Sequence, residues 1–138
     1  MYRLITVLLL IVSSARMLSA LNSLDSFEVK MNSLDERGRI DEINRNFEDL
    51  FSRFPVKARE YALLAKDLSI GLQDKQGLMS SYYNIALVQT NSGQNSEALE
   101  NLERALALAR EINSELYIGK CLNQIGIIYR YLSRYDNA

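Results

Sequence analysis

Apolar and small residues recur at a fixed period along most of the chain. When the sequence is compared with itself at a shift of 40, Ile85 coincides with Ile125 and Ala65 with Ala105. A fixed period of this length, carried by small and branched apolar residues, is typical of stacked helical repeats. The pattern therefore predicts an all-α fold of antiparallel helix hairpins.

Breaks in the pattern divide the chain into five segments. The residue before Pro55 avoids the helical region, and Gly93 suits a left-handed helix cap, so each marks a turn. The predicted segments are a signal peptide or N-terminal anchor at residues 1–20, a lead-in helix or linker at 21–39, a degenerate helix pair at 40–76, a complete repeat at 77–114, and the first helix and start of the second helix of an incomplete repeat at 115–138.

Residues 1–20 have the pattern of an export signal. Arg3 precedes an apolar run over residues 4–12, and small residues lead to predicted cleavage after Ala15 or Ala20. The run is shorter than the roughly 20 apolar residues of a membrane span. The segment predicts an exported or cell-envelope location. For the segment the alternative is an uncleaved anchor or a buried amphipathic helix, and for the protein the alternative is a cytoplasmic location.

The incomplete last repeat leaves one helix face without a neighbour. Repeat arrays normally end in a polar capping unit, and none follows the helix that carries Ile125, Ile128 and Tyr129. We therefore expect the chain to be a fragment of a longer protein. The alternative is that another molecule covers these residues.

Composition excludes several kinds of chemistry. The chain has a formal net charge of −1, no histidine and one cysteine, so it has no basic footprint for nucleic acid and cannot assemble most metal sites or nucleophile–base pairs. We predict no catalytic residue, no bound cofactor and no metal. Cys121 lies on an apolar helix face and is predicted to be a small buried thiol, with a reactive thiol as the alternative.

The repeat units resemble the tetratricopeptide repeat family in its form with a 40-residue period. The residues that carry the resemblance are Leu122, Ile125, Gly126, Tyr129, Tyr135 and Ala138 in the last unit, and Tyr82, Ile85, Ala86, Gly93, Ala98, Leu102 and Ala105 in the preceding one. The first unit matches only through its second helix. Its first helix departs from the family pattern, because it has Arg45 and Asn46 where the family has a large and then a small apolar residue. The resemblance covers residues 40–138 and implies a right-handed superhelix that binds a protein or peptide in its concave groove.

The resemblance also implies which residues line that groove. They are Ser80, Tyr83, Leu87, Thr90 and Asn91 from one unit and Lys120, Asn123, Ile127, Arg130 and Tyr131 from the next. The basic residues among them, with Asn123, can hold a carboxylate or an acidic peptide through charge-assisted hydrogen bonds. The alternative is that all ten are ordinary solvated residues.

An export signal followed by a degenerate repeat and then regular repeats of this period resembles the N-terminal part of bacterial envelope regulators. In those proteins an exported repeat array precedes a membrane span and a histidine kinase or DNA-binding output domain. We therefore expect this chain to be a non-catalytic interaction and sensing module of a longer exported or membrane-associated signalling protein. That longer protein would be an enzyme only if it carried such a kinase domain. A free-standing adaptor or scaffold is the alternative.

Overall fold

All regular structure in the described part of the chain is helical. The computed structural model describes the backbone of residues 2–136 and the side chains of residues 5 and 10–134. The helices are α1 (Tyr2–Ser33), α2 (Glu36–Arg53), α3 (Pro55–Gly71), α4 (Lys75–Asn91), α5 (Asn95–Glu111) and α6 (Glu115–Asp136). The predicted all-α fold is confirmed.

Helix α1 belongs to a unit of its own, which ends at Asp35. It runs unbroken past both predicted cleavage positions, Ala15 and Ala20. Large apolar side chains along it are exposed, for example Met17 at 75%. No helix between residues 2 and 136 combines the length and apolar character needed to cross a membrane. The signal peptide and its cleavage stay predictions.

The second unit begins at Glu36 and contains the other five helices. Each helix packs against the next one along the chain, and α4 also contacts α2 and α6. Helices α2, α4 and α6 therefore form one layer and α3 and α5 the other, as in a stack of helix hairpins. The two complete hairpins are α2–α3 and α4–α5.

Small residues let these helices approach closely. Ala58 and Ala65 of α3 and their equivalents in the next repeat, Ala98 and Ala105 of α5, are fully buried. Between α4, α5 and α6 the remaining space is filled by larger apolar side chains, among them the fully buried Leu102. Alternating small and large side chains give the density that protein interiors require.

The three turns between α3 and α6 have the same backbone geometry. The φ angle is 53° at Gln73, 75° at Gly93 and 56° at Asn113. In the first turn the N–H of Asp74 donates to the carbonyl oxygen of Ser69 at 2.8 Å, and the other two turns repeat this bond at 2.9 and 2.8 Å. These features define the Schellman motif, in which a left-handed residue ends the helix. Because the three left-handed residues are evenly spaced along the chain, each repeat consists of two helix–turn units of equal length.

Helix α2 begins at Glu36, earlier than the predicted start at residue 40. The predicted break near residues 35–38 is short, and α2 takes up most of it. The first hairpin therefore includes residues that the sequence pattern assigned to the lead-in segment. Pro55 is the first residue of α3, where its missing N–H leaves no hydrogen bond unmade, so this predicted boundary is confirmed.

Helix α6 continues through Ser133, where the sequence pattern predicted a turn and the start of another helix. Ser133 occupies the position of the turn residue Gly93, but here it lies within the helix. Its hydroxyl instead donates to the carbonyl oxygen of Arg130 at 3.0 Å. Of the helix predicted to follow, residues 137–138 lie outside the described residues.

Candidate peptide-binding groove

A groove with a volume of about 540 Å³ lies on the face formed by α2, α4 and α6. It is lined by Arg37, Asp41, Asn44 and Arg45 of α2, by Asp74, Gln76, Gly77 and Ser80 around the start of α4, and by Tyr117 of α6. Apart from the glycine, every lining residue has a polar group on its side chain. The groove therefore suits a ligand that offers many hydrogen-bonding groups, such as a peptide.

The start of α4 is positioned by Asp74 and Gly77. Asp74 caps the helix, and its Oδ1 accepts the N–H of Gly77 at 3.0 Å. A Cβ on Gly77 would lie 2.6 Å from Ser69 Oγ and 2.7 Å from Ile40 Cγ2, so α2, α3 and α4 meet here at a distance that only glycine allows. Arg37 adds an ion pair to the Asp74 carboxylate at 3.6 Å.

An amide pair, of which Asn84 is buried and Asn44 is half-buried, joins α2 to α4 at the groove. Nδ2 of Asn84 donates to Oδ1 of Asn44 at 3.0 Å, and Asn84 is 5% exposed. A buried amide needs such a partner, because leaving it unpaired costs free energy. The two residues occupy equivalent positions in successive repeats, so this bond fixes the register of α2 against the next repeat.

The Arg45-Asn46 pair, which departs from the family pattern, serves the buried carboxylate of Glu42. Nδ2 of Asn46 donates to Glu42 Oε1 at 3.0 Å, and Nη1 of Arg45 lies 3.4 Å from Oε2. Glu42 is 6% exposed, and these bonds offset the cost of removing its charge from water. The side chain of Arg45 remains 70% exposed at the groove.

Two tyrosines and a lysine form a cluster between α4 and α6. The rings of Tyr83 and Tyr117 pack edge to face with centroids 5.7 Å apart, and Lys120 Nζ lies 5.6 and 5.2 Å from the two centroids. The carboxylate of Glu48 lies 4.0 Å from the same ammonium. Burial raises the pKa of Tyr83, and repulsion of its phenolate by the ionised forms of Cys121, Glu48 and Tyr117 raises the pKa further. The Tyr83 hydroxyl is therefore a neutral hydrogen-bonding group at physiological pH.

Three of the ten predicted groove residues lie in this region. Ser80 lines the groove, while Tyr83 and Lys120 belong to the cluster beside it. The structure therefore places predicted residues from two repeats close together. Whether they contact a ligand stays a prediction.

The other seven predicted residues are not among those that line the groove. Leu87 and Ile127 are half-buried, Thr90 donates its hydroxyl to the carbonyl oxygen of Ala86 at 2.8 Å, and Asn91, Asn123, Arg130 and Tyr131 are exposed. They lie closer to the C-terminal ends of α4 and α6 than the groove does. Their role in ligand binding also stays a prediction.

Sequence reasoning missed the contribution of α2. Arg37, Asp41, Asn44 and Arg45 line the groove, yet the departure of the first repeat from the family pattern left the register of this helix open. A signal was present, because Asn44 falls on Asn84 at the same shift of 40 that aligns the later repeats. Tyr117 was missed because the groove positions implied by the resemblance begin at residue 120 in this repeat, as they begin at residue 80 in the preceding one.

Cys121 is fully buried, as predicted for a small structural thiol. Burial raises its pKa to about 11, because the thiolate would lose its hydration. The side chain packs in the apolar cluster between α4, α5 and α6. Among the side chains that the structure describes, at residues 5 and 10–134, no group of three or more acidic or cysteine residues is arranged to hold a metal ion.

Residues 77–138, which contain α4, α5 and α6, match a family model described as tetratricopeptide repeat. This segment belongs to the tetratricopeptide repeat family. No curated protein and no solved structure shows significant similarity to the chain. Tetratricopeptide repeats generally bind protein partners and are generally non-catalytic, so residues 77–138 form a protein-interaction module.

Proposed function

We propose that the groove between α2, α4 and α6 binds an extended peptide segment of a protein partner. The observation that carries this proposal is a polar groove of about 540 Å³ on the layer formed by the first helix of each repeat. An extended peptide has unpaired backbone N–H and C=O groups along its length. Amides and hydroxyls at the groove can pair with these groups.

The charges favour a peptide with one or two acidic side chains. Arg37 and Arg45 have side chains 61% and 70% exposed, whereas their ion-pair partners are 11% and 8% exposed. The groove therefore presents the positive members of both pairs to solvent. Asp41 lines the same groove, so a long acidic run would be repelled, and we expect polar residues around each acidic one.

Selection from a random peptide library with the full chain tests this proposal. We expect enrichment of peptides with isolated acidic residues, and fluorescence anisotropy then gives their affinities. Arg45→Gln and Lys120→Met should each weaken binding roughly ten- to hundredfold, since a charge-assisted hydrogen bond is worth about 1.5–3 kcal/mol. Arg110→Gln, on exposed α5 surface, is the matched control. Peptides that bind all variants equally would show that the groove is not the site.

We also propose that the chain is the N-terminal sensing part of a longer exported or membrane-associated signalling protein. The support is the export-signal pattern of residues 1–20, followed by repeats with a 40-residue period. The groove would then lie outside the cytoplasm and bind a protein of the cell envelope. A free-standing adaptor in the cytoplasm remains the alternative.

The intact mass of the natural gene product, measured by cell fraction, distinguishes these two contexts. A product in the envelope fraction that begins after Ala15 or Ala20 and is much larger than this chain would support the sensing module. A cytoplasmic product that retains its first residues would contradict export, and the adaptor would remain. Neither result depends on whether the groove binds peptide.

A further inference from the structure

We propose that the outer face of α3, with a pocket beside it, binds an amphipathic helix of a partner protein. One leucine-sized side chain of that helix fills the pocket, and a carboxylate next to it pairs with Arg59. The pocket lies between α3, α4 and the turn that leads to α5. It shares no lining residue with the peptide groove, so this second site is independent of the groove.

The pocket lies where the first repeat has smaller side chains than the next one. Its volume is about 70 Å³, and its floor includes the buried Ala62 of α3 and Val88 of α4. At the shift of 40 they correspond to Leu102 and Ile128, which are fully buried in the apolar cluster of the next repeat. Leucine has three carbons more than alanine, and isoleucine has one more than valine. The first repeat therefore lacks four carbons that fill the equivalent space in the next repeat, and such a void lowers stability.

The rim of the pocket carries a cation without an ion pair. Arg59 is exposed, and within the described part of the chain its side chain makes neither an ion pair nor a hydrogen bond. Gln89 accepts a hydrogen bond from Asn101 at 2.8 Å through its Oε1, so its N–H groups are available at the pocket, and the exposed Gln94 adds a second amide. An apolar floor below a guanidinium and two amides suits an aliphatic side chain with a carboxylate close to it.

Exposed apolar residues continue from the pocket along α3. Val56, Leu63 and Ile70, which we call the α3 stripe, follow one another at intervals of seven residues and are 73%, 38% and 53% exposed. Leu63 also lines the pocket. The equivalent residues of α5 are all polar and exposed: Ser96, Glu103 and Arg110. The repeat itself therefore does not need an apolar surface here, and a stripe of this kind on a helix already packed against α2 and α4 marks an interaction surface.

The size of the pocket distinguishes between a free small molecule and a segment of a protein. Four carbons buried in the pocket strengthen binding by only about two hundredfold, since each buried CH₂ gives roughly a fourfold gain in affinity. A ligand confined to the pocket is therefore weak, because association itself costs free energy. A tighter ligand must also cover the α3 stripe, and apolar residues at intervals of seven match the apolar seam of a facing helix.

Selection from a phage-displayed library of amphipathic helical peptides with the full chain tests the proposal. We expect enrichment of peptides that carry an acidic residue close to a leucine, and fluorescence anisotropy then gives their affinities. Ala62→Leu introduces the residue of the equivalent α5 position and should weaken binding at least tenfold. Because it fills the void, it should also raise the urea midpoint of unfolding. Ala107→Leu, on the exposed surface of α5, is the matched control and should leave the affinity unchanged.

Two further variants test the rim and the α3 stripe separately. Arg59→Gln should weaken binding roughly tenfold or more, since it removes a charge-assisted hydrogen bond, and Arg110→Gln is its control. Leu63→Glu also introduces the residue of the equivalent α5 position and should weaken binding, because it places a charge in the apolar contact. Far-UV circular dichroism checks that each variant keeps its helix content. Peptides that lose affinity with Arg45→Gln but not with Arg59→Gln bind the groove, and a selection that yields only these contradicts the proposal.

Three other outcomes would overturn the proposal. In the first, every selected peptide binds Ala62→Leu as tightly as the natural chain. In the second, isovalerate, which joins an isobutyl group to a carboxylate, binds as tightly as the peptides in NMR titration, so the pocket serves a small carboxylic acid. In the third, sedimentation velocity shows that the chain associates with itself and that Ala62→Leu abolishes this association, so the α3 stripe serves a second copy and not a partner helix.

Discussion

Replacing Gly77 with alanine tests how closely α2, α3 and α4 pack at the groove. The added methyl group would lie 2.6 Å from Ser69 Oγ, 2.7 Å from Ile40 Cγ2 and 2.8 Å from Asp74 Oδ2. Ile40 and Ser69 are fully buried, so neither can turn into solvent to make room. The helices must move apart or the side chains must leave their rotamers.

The expected change in stability follows from three opposing contributions. Alanine is about 1 kcal/mol better than glycine inside a helix. Overpacking costs about 1–3 kcal/mol, and displacement of the Asp74 carboxylate weakens a helix cap worth about 1 kcal/mol. Gly77→Ala should therefore destabilise the fold by about 1–3 kcal/mol. Gly119→Ala, where the methyl group meets nothing within 4 Å, should stabilise it by up to about 1 kcal/mol.

Urea unfolding followed by tyrosine fluorescence measures this difference, because all tyrosines except Tyr2 lie in the second unit. Adding Ser69→Ala to Gly77→Ala removes the nearest oxygen and should restore part of the lost stability, as a double-mutant cycle would show. If Gly77→Ala is as stable as Gly119→Ala, the close approach described for α2, α3 and α4 is wrong.

Three further predictions concern the turns, the buried thiol and the amide pair. Gln73→Gly and Asn113→Gly should each stabilise the fold by roughly 0.5–1 kcal/mol, since both residues have positive φ. Urea unfolding measures this change, and a loss of stability in either variant would contradict the turn geometry. Burial raises the pKa of Cys121 from 9.0 to about 11, so the unfolded chain releases this proton at a lower pH than the folded chain, and the contribution of the thiol to stability is full below pH 9 and is lost as pH rises through 11. Cys121→Val should therefore flatten the decline in the free energy of unfolding between pH 9 and 11. Equal slopes of this free energy against pH in the variant and the natural chain would refute the prediction. Asn84→Leu should destabilise the fold by about 0.5–1.5 kcal/mol, the net value of a hydrogen bond, because water can reach the half-buried Asn44 when its amide partner is lost. An unchanged urea midpoint would mean that the bond is not needed.

Periodicity was sufficient to predict most of the helix hairpins. The fully buried Ala58 and Ala98 occupy equivalent positions in successive repeats, and so do the turn residues Gln73 and Asn113. Positions of this kind depend on close helix approach and on left-handed backbone, which constrain residue type at every repeat. Repetition in the structure therefore leaves repetition in the sequence.

The groove could not be predicted in the same way, because α2 has different neighbours from α4 and α6. Ile40 is fully buried, whereas its equivalent two repeats later, Lys120, contacts two tyrosine rings beside the groove. Glu42 is buried and held by Arg45 and Asn46, an arrangement that depends on the local side chains and leaves no period in the sequence. The family pattern carries the groove positions of a regular repeat, and so it missed those of the first one.

The groove owes its shape to one position that differs in all three repeats. Arg37, Gly77 and Tyr117 are equivalent at the shift of 40, and all three line the groove. The central glycine lets α4 approach α2, while Arg37 and Tyr117 border the groove with a cation and an aromatic ring. A side chain at residue 77 would collide with Ser69 and Ile40 and strain the helix packing. Substitutions at residue 77 therefore act first on stability, whereas substitutions at Arg37 and Tyr117, which are not fully buried, should change the ligand preference of the groove with much smaller effects on folding.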